Sequence, residues 1–176
     1  MASISNALSE ALKTTIERHW RTYMGNRQRP LTVVVEEDIS SVKVPAIGIF
    51  DAGSRVLFET MRGREVDGTP KAGVVMQEYQ FDLQIWVKGS TKAKTLTEMN
   101  EYRDGIKAIL QDQYTLGEID ASINVTSDEP SLELPEASAI LRVGMVRAFI
   151  TWWFPGRLDL GMMRAGSPMA EISLRL

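Results

Sequence analysis

The sequence predicts an α+β domain: a mostly antiparallel sheet with an N-terminal helix and a second helix packed on it, plus a long loop and a C-terminal extension. Three observations carry this prediction. Ile4, Leu8, Leu12, Ile16 and Trp20 form an unbroken i+4 row, the spacing of one helical face. Met76 to Lys88 alternates apolar with polar side chains, the period of a strand with one buried and one wet face. Val143 to Phe154 is largely apolar on both faces, so both sides of the sheet are in play.

The first helix extends its stripe to Tyr23 and has a stop at Gly25, with Ser3 or Ser5 as its cap. A helix of this length is marginal alone in water, so its stripe requires a packing surface. Leu31 to Glu37 opens after Pro30 as a β-branched strand, and Ala46 to Asp51 follows Pro45 as a second. Between Asp51 and Gly73 lie four further glycine and proline positions, Gly53, Gly63, Gly68 and Pro70. That segment reads as a long loop, with a short edge strand over Val56 to Met61 inside it. Loops of such length in compact domains are usually functional or disordered. Its charges balance, which argues against a nucleic-acid patch, while Arg62 and Arg64 are candidates to bind a carboxylate on a neighbouring chain.

In the strong strand, Tyr79, Phe81, Leu83, Ile85 and Val87 share the buried face; Gln80, Asp82, Gln84 and Lys88 share the wet one, with Trp86 as its aromatic exception. Gly89-Ser90-Thr91 ends the strand, and Ser90 or Thr91 caps a helix with Leu96, Met99, Arg103, Ile106 and Leu110 on one side and Ile109 beside them. This helix is expected to end near Asp112 or Gln113. Ile119 to Thr126 alternates as another strand, and Pro130 and Pro135 predict a turn-rich connection after it. In the last long strand, Val146, Ala148, Ile150, Trp152 and Phe154 are expected to form core. Arg147, Phe149 and Trp153 project on the opposite face, where arginine and aromatic side chains are the types that anchor protein interfaces. The other reading of that face is cover by a helix. Residues 1–156 are thus expected to form one domain. In residues 157–176, Ile172 and Leu174 alternate with Ser173 and Arg175, as a further edge strand or as an arm adding a strand to a neighbour.

Composition narrows the function. The chain has no cysteine, which excludes disulfides, thiolate metal sites and cysteine nucleophiles. No secretory signal pattern opens it and no apolar run approaches bilayer length, so a soluble protein without a membrane partner is expected. A net charge of −3 argues against tight nucleic-acid binding by the whole surface. No Lys or Arg occurs between Ala108 and Leu141, where Asp112, Glu118, Asp120, Asp128, Glu129, Glu133 and Glu136 fall. This stretch reads either as a solvated acidic face or as a surface that repels a polyanion or meets a basic partner. The single histidine, His19, lies within the first helix without an acidic companion, as a structural histidine does. HExxH, GxSxG, GxxxxGK[ST] and GxGxxG are all missing. No catalytic residue, metal or cofactor is therefore expected.

The order helix, strands, long loop, strong strand, helix and late strands resembles the tail terminator, or tail completion, proteins of tailed bacteriophages. The resemblance is carried by Tyr79 to Lys88 (YQFDLQIWVK) leading through Gly89-Ser-Thr-Lys92 into a helix. It continues in Met99 to Leu110 (MNEYRDGIKAIL) and in the late strand ending Phe149 to Phe154 (FITWWF). It spans roughly three-quarters of the chain as a pattern of order rather than a diagnostic motif. The resemblance implies a virion protein at the tail–neck junction, present in the host cytoplasm during assembly. Such proteins form a homo-oligomeric ring, usually a hexamer, that caps the tail tube and ends its polymerisation. Its implied partners are other copies of itself, the tube protein, neck or connector proteins and, where the tail is contractile, the sheath; DNA passes through without being read. A head–neck connector ring would share the same surface logic, and a small-molecule-binding α+β domain is the alternative of a different class.

Overall fold

The i+4 row does produce a helix. In a computed structural model of the chain, which describes residues 4–24, 31–36, 42–59, 74–113, 116, 121–126, 131–135 and 140–155, α1 spans Ile4–Met24. It buries Ile4, Leu8, Leu12, Ile16 and Trp20, the residues of that row, together with Ser9 and Thr15. The Ser9 hydroxyl donates to the Ser5 carbonyl at 3.0 Å, which allows it to lie in the buried stripe.

Seven further elements follow: β1 (Thr32–Val35), β2 (Ala46–Glu59), β3 (Val74–Gly89), α2 (Lys92–Asp112), β4 (Ala121–Thr126), β5 (Leu132–Pro135) and β6 (Ile140–Pro155). The six strands form one sheet in the order β1-β2-β3-β6-β4, and β5 pairs with β6 as well. Only β1 and β2 are parallel; every other pairing is antiparallel. The fold class is the α+β arrangement the sequence predicts.

Both helices lie on the same face. Tyr79, Phe81, Leu83, Ile85 and Val87 of β3 join Val146, Ala148, Ile150 and Trp152 of β6, and the stripes of α1 and α2 complete a single core. α1 lies over β1 and β2, whereas α2 lies over β3, β6 and β4. Trp20 and Tyr102 join the helices to each other, their rings 5.1 Å apart at 31°, a separation at which aromatic pairs attract. Gly144 lets α2 approach β6 closely, since a Cβ there would lie 2.6 Å from the Met99 sulfur.

The α2 stripe differs from the one expected. Thr95, Met99, Tyr102, Ile106, Ile109 and Leu110 are buried, but Leu96 is 41% exposed. Thr91 is the N-cap, its hydroxyl accepting from the Lys94 amide, and Thr95 donates its own hydroxyl to the Thr91 carbonyl at 2.7 Å. That hydrogen bond lets a threonine take the inward place beside Leu96.

Three other expectations change. Residues 52–55 are not loop: they join the expected strands at Ala46–Asp51 and from Val56 onward into one strand, β2, which pairs with β3 up to Glu59, with register shifts between Asp51 and Gly53 and between Val56 and Phe58. Gly53 has φ 106°, a conformation glycine adopts without strain and one suited to the first bulge. Residues 60–73, the remainder of the expected loop, lie outside the described residues. Leu132–Pro135, expected to be turn, pairs with the start of β6 despite its proline, which stands at the end of an edge strand where a missing N–H is tolerated. The first strand is shorter than Leu31–Glu37, since Glu36 turns to φ 52° after β1.

Gly48 is the residue on which the opposite face of the sheet closes. A Cβ there would meet the Trp86 ring at 2.4 Å and the Phe50 ring at 2.7 Å. Gly48→Ala is therefore expected to destabilise the fold by about 1–3 kcal/mol in urea unfolding. Trp86→Leu in the same chain should restore part of that loss, a coupling that a double-mutant cycle reads directly.

Candidate assembly interface

The sheet has an inner face covered by α1 and α2 and an outer face on which no described helix lies. The strand alternation determines which side chains stand on the outer face. Registers place Lys88 opposite Leu141, Trp86 opposite Val143, Gln84 opposite Met145, Asp82 opposite Arg147, Gln80 opposite Phe149 and Glu78 opposite Thr151. β4 adds Thr126 beside Arg147, Asn124 beside Phe149 and Ser122 beside Thr151. The outer face thus carries a polar lane on β3 and a largely apolar lane on β6. Val143, Met145, Arg147 and Phe149 are all partly exposed. A strand apolar on both faces is thus half covered: core on the helix side, accessible on the other.

The candidates on this face divide. Phe149 stands between Gln80 and Asn124 and remains accessible. Arg147 is tied down, its Nε donating to Asp82 Oδ1 at 2.8 Å. Trp86 must be removed from the set of surface residues. It is 4% exposed, seated over Gly48 and edge-on to Phe50 at 6.1 Å and 89°. A glycine in the neighbouring strand provides a bed for a large ring, so an aromatic on the wet face became a small second core. Trp153 lies in β6 opposite Met76. Arg62, Arg64, Ile172 and Leu174 lie outside the described residues.

The acidic stretch divides as well. Glu118, Asp120, Asp128, Glu129 and Glu136 lie outside the described residues. Asp112, at the end of α2, accepts a hydrogen bond from the Tyr23 hydroxyl, which raises the tyrosine's pKa. Glu133 is not an unpaired acid: Lys92 Nζ lies 2.9 Å from one oxygen and Arg142 Nη2 lies 2.7 Å from the other. Arg142 also donates to Ser131 at 2.9 Å. The hydrogen bond from Lys92, with the charges of Lys92 and Arg142, holds the Glu133 carboxyl below its ordinary range against the opposing effect of burial. A gap in sequence between basic residues is closed in space by α2 and β6.

Other surface features gave no signal in the sequence. Leu132 is 61% exposed on β5 and Val56 is 56% exposed on β2, both in segments where no long alternation marked a face. Asp51 forms a polar node. Its Oδ2 accepts from Ser5, its Oδ1 accepts from the Gly53 amide at 2.7 Å, and its own amide donates to Glu36 Oε1 at 2.6 Å. Arg55 bonds Glu78 at 2.8 Å across the hairpin. Among the described residues no group of three acidic or histidine side chains is gathered as a metal site, and no helix is long and apolar enough to cross a membrane. An open groove lined by Tyr23, Met24, Glu101, Asp104, Gly105 and Ala108 lies where α1 and α2 meet. Compared with known proteins, the chain matches no family model and no curated sequence.

The Glu133 cluster gives a pH dependence with a defined sign. A carboxyl whose folded pKa is depressed stabilises the fold above its unfolded pKa and loses that contribution as pH falls through the folded value. The urea midpoint should therefore decline on acidification below the ordinary carboxylate value of 4.5, and Glu133→Gln should make that decline shallower.

Proposed function

We propose that this chain is the subunit of a ring that caps the tail tube of a tailed bacteriophage, ends tube polymerisation and joins the tube to the neck. The observation that carries the reading is the accessible outer face of the sheet, with its apolar lane Val143, Met145 and Phe149 on β6. A strand face with apolar side chains on either side of the Asp82–Arg147 pair, bordered along β3 by Gln80 and Gln84, mixes apolar and arginine side chains as protein docking surfaces do. The order of elements and the residues Tyr79–Lys88, Met99–Leu110 and Phe149–Phe154 supply the resemblance to tail terminators.

A ring requires a head-to-tail contact between two different patches on each subunit. The β6 lane is one patch. The second is the β2–β3 hairpin, whose residues 51–57 are all exposed and carry Val56 and Leu57 as apolar side chains. The remaining surfaces serve the tube on one side and the neck or connector on the other, with the sheath as a further partner if the tail is contractile. DNA crosses such a ring without sequence-specific contact, in keeping with the net charge of −3.

The test is assembly. Purified protein, alone or mixed with tail tubes, should give rings in negative stain and a multiple of the 19.7 kDa subunit mass in light scattering. Met145→Asp with Phe149→Asp should leave the circular dichroism intact and weaken assembly by about tenfold or more. Rings of unchanged mass from that variant would reject the assigned lane, and rings that bind connectors but not tube ends would favour a head–neck ring.

A further inference from the structure

Among the described residues, the exposed large apolar side chains outside α2 fall into two groups: Val56 and Leu57 on β2, and Leu132 on β5. The two groups stand at opposite ends of the sheet. Val56 is opposite Gln77, which is opposite Trp152, whereas Leu132 is opposite Val143. Those positions on β6 are about 30 Å apart along the strand, and the groups are three strand spacings apart across the sheet, about 14 Å, so they lie about 33 Å from each other. They also stand on opposite faces. Val56 shares the helix side with Trp152, which is core. Leu132 shares the outer face with Val143 and Met145.

We propose that the β2–β3 hairpin of one copy docks on the β5 corner of the next, placing Val56 and Leu57 against Leu132 and Val143. This docking rests on the ring reading, to which it adds the residues that meet and the order in which copies follow one another. A contact about a two-fold axis is made twice, each copy giving and receiving. Groups on opposite faces, about 33 Å apart, do not both reach the partner in one such contact. The pairing therefore repeats head to tail, which closes into a ring or runs on as a filament.

Leu132 is the anchor of the receiving side. Its strand has only four residues, yet both of its neighbours are tied down. Glu133 faces the helix side and is bonded by Lys92 and Arg142, and Arg142 also donates to Ser131 at 2.9 Å. β5 is thus clamped to α2 and β6 on either side of Leu132. An apolar side chain on a clamped backbone loses less freedom on docking than one on a loose edge. The giving side is held in the same way: Gln77 donates to Ser54 at 2.8 Å and Arg55 donates to Glu78 at 2.8 Å, across the strands that carry Val56. Both surfaces are fixed before they meet.

The absence of cysteine makes the test direct. Val56→Cys with Leu132→Cys introduces the only two thiols, too far apart for a short bis-maleimide to join them within one copy. Treated with that reagent, alone and with tail tubes, the variant should give a ladder of covalent multimers that stops at the mass of the ring. A ladder in protein that shows no rings in negative stain keeps the docking and rejects the ring. Rings that do not cross-link overturn the docking and leave the ring standing. Products no larger than dimers assign a two-fold contact and overturn the docking, and monomer under both conditions overturns docking and ring together. Leu132→Ser provides a second readout in the otherwise unaltered chain. The urea midpoint should hold, because the side chain is exposed, while assembly weakens by about tenfold or more. Undiminished assembly would reject Leu132 as the anchor.

Discussion

The antiparallel ladder between β3 and β6 runs from Val74 opposite Pro155 to Gly89 opposite Ile140 without a register shift, and the other elements are positioned by it. β2 extends the sheet on one side; β4 and β5 extend it on the other, both along the same edge of β6. α2 is joined to the end of β3 through Ser90 and Thr91, so it folds back onto the ladder that precedes it. α1 then covers the part of the inner face that α2 leaves, over β1 and β2, and the two helices meet at Trp20 and Tyr102. Because both helices use the inner face, the period of two along β3 and β6 assigns every alternate side chain to the other surface.

That division sets the chemistry of the outer face. An ion pair between Asp82 and Arg147 sits in mid-sheet, flanked along β6 by Met145 and Phe149. At one end the face is closed by Trp86 on Gly48, and toward the other it opens into the exposed strands of the hairpin. The Glu133 cluster ties β5, β6 and the first turn of α2 together. Polar contacts therefore fix the borders of the sheet, while burial on the helix side supplies most of the stability. The proposed ring function draws on the surface that burial leaves over.

Much of the fold was legible because its elements are long and strictly periodic. The i+4 row of α1 and the alternation of β3 match the elements observed to within two residues, and on the even face of β6 Val146, Ala148, Ile150 and Trp152 are core. What was not legible depended on partners distant in sequence. Trp86 looked like a surface anchor because nothing local shows that Gly48 lies beneath its ring. Glu133 looked unpaired because its cations belong to α2 and β6. The continuity of β2 through residues 52–55 is hidden by glycine and by the two bulges, which break the alternation a strand is recognised by. In α2, Thr95 displaced Leu96 because its hydroxyl reaches the carbonyl of the preceding turn. The candidate interface was legible only in part, since alternation identifies the face that carries Phe149 but not which of its residues a neighbouring strand covers.

The ladder between β3 and β6 also has a kinetic meaning. Its strands are not joined by a hairpin: α2, β4 and β5 intervene, so paired residues lie about fifty to eighty positions apart. The parallel pairing of β1 with β2 likewise needs a connection longer than a tight turn. Closing such loops costs entropy before any burial repays it. The edge of β3 that β6 covers, on a strand β-branched and aromatic along much of its length, therefore stays unpaired until the nascent chain completes β6. A protein built on this plan folds late relative to its synthesis, and its most adhesive segments are the last to be hidden.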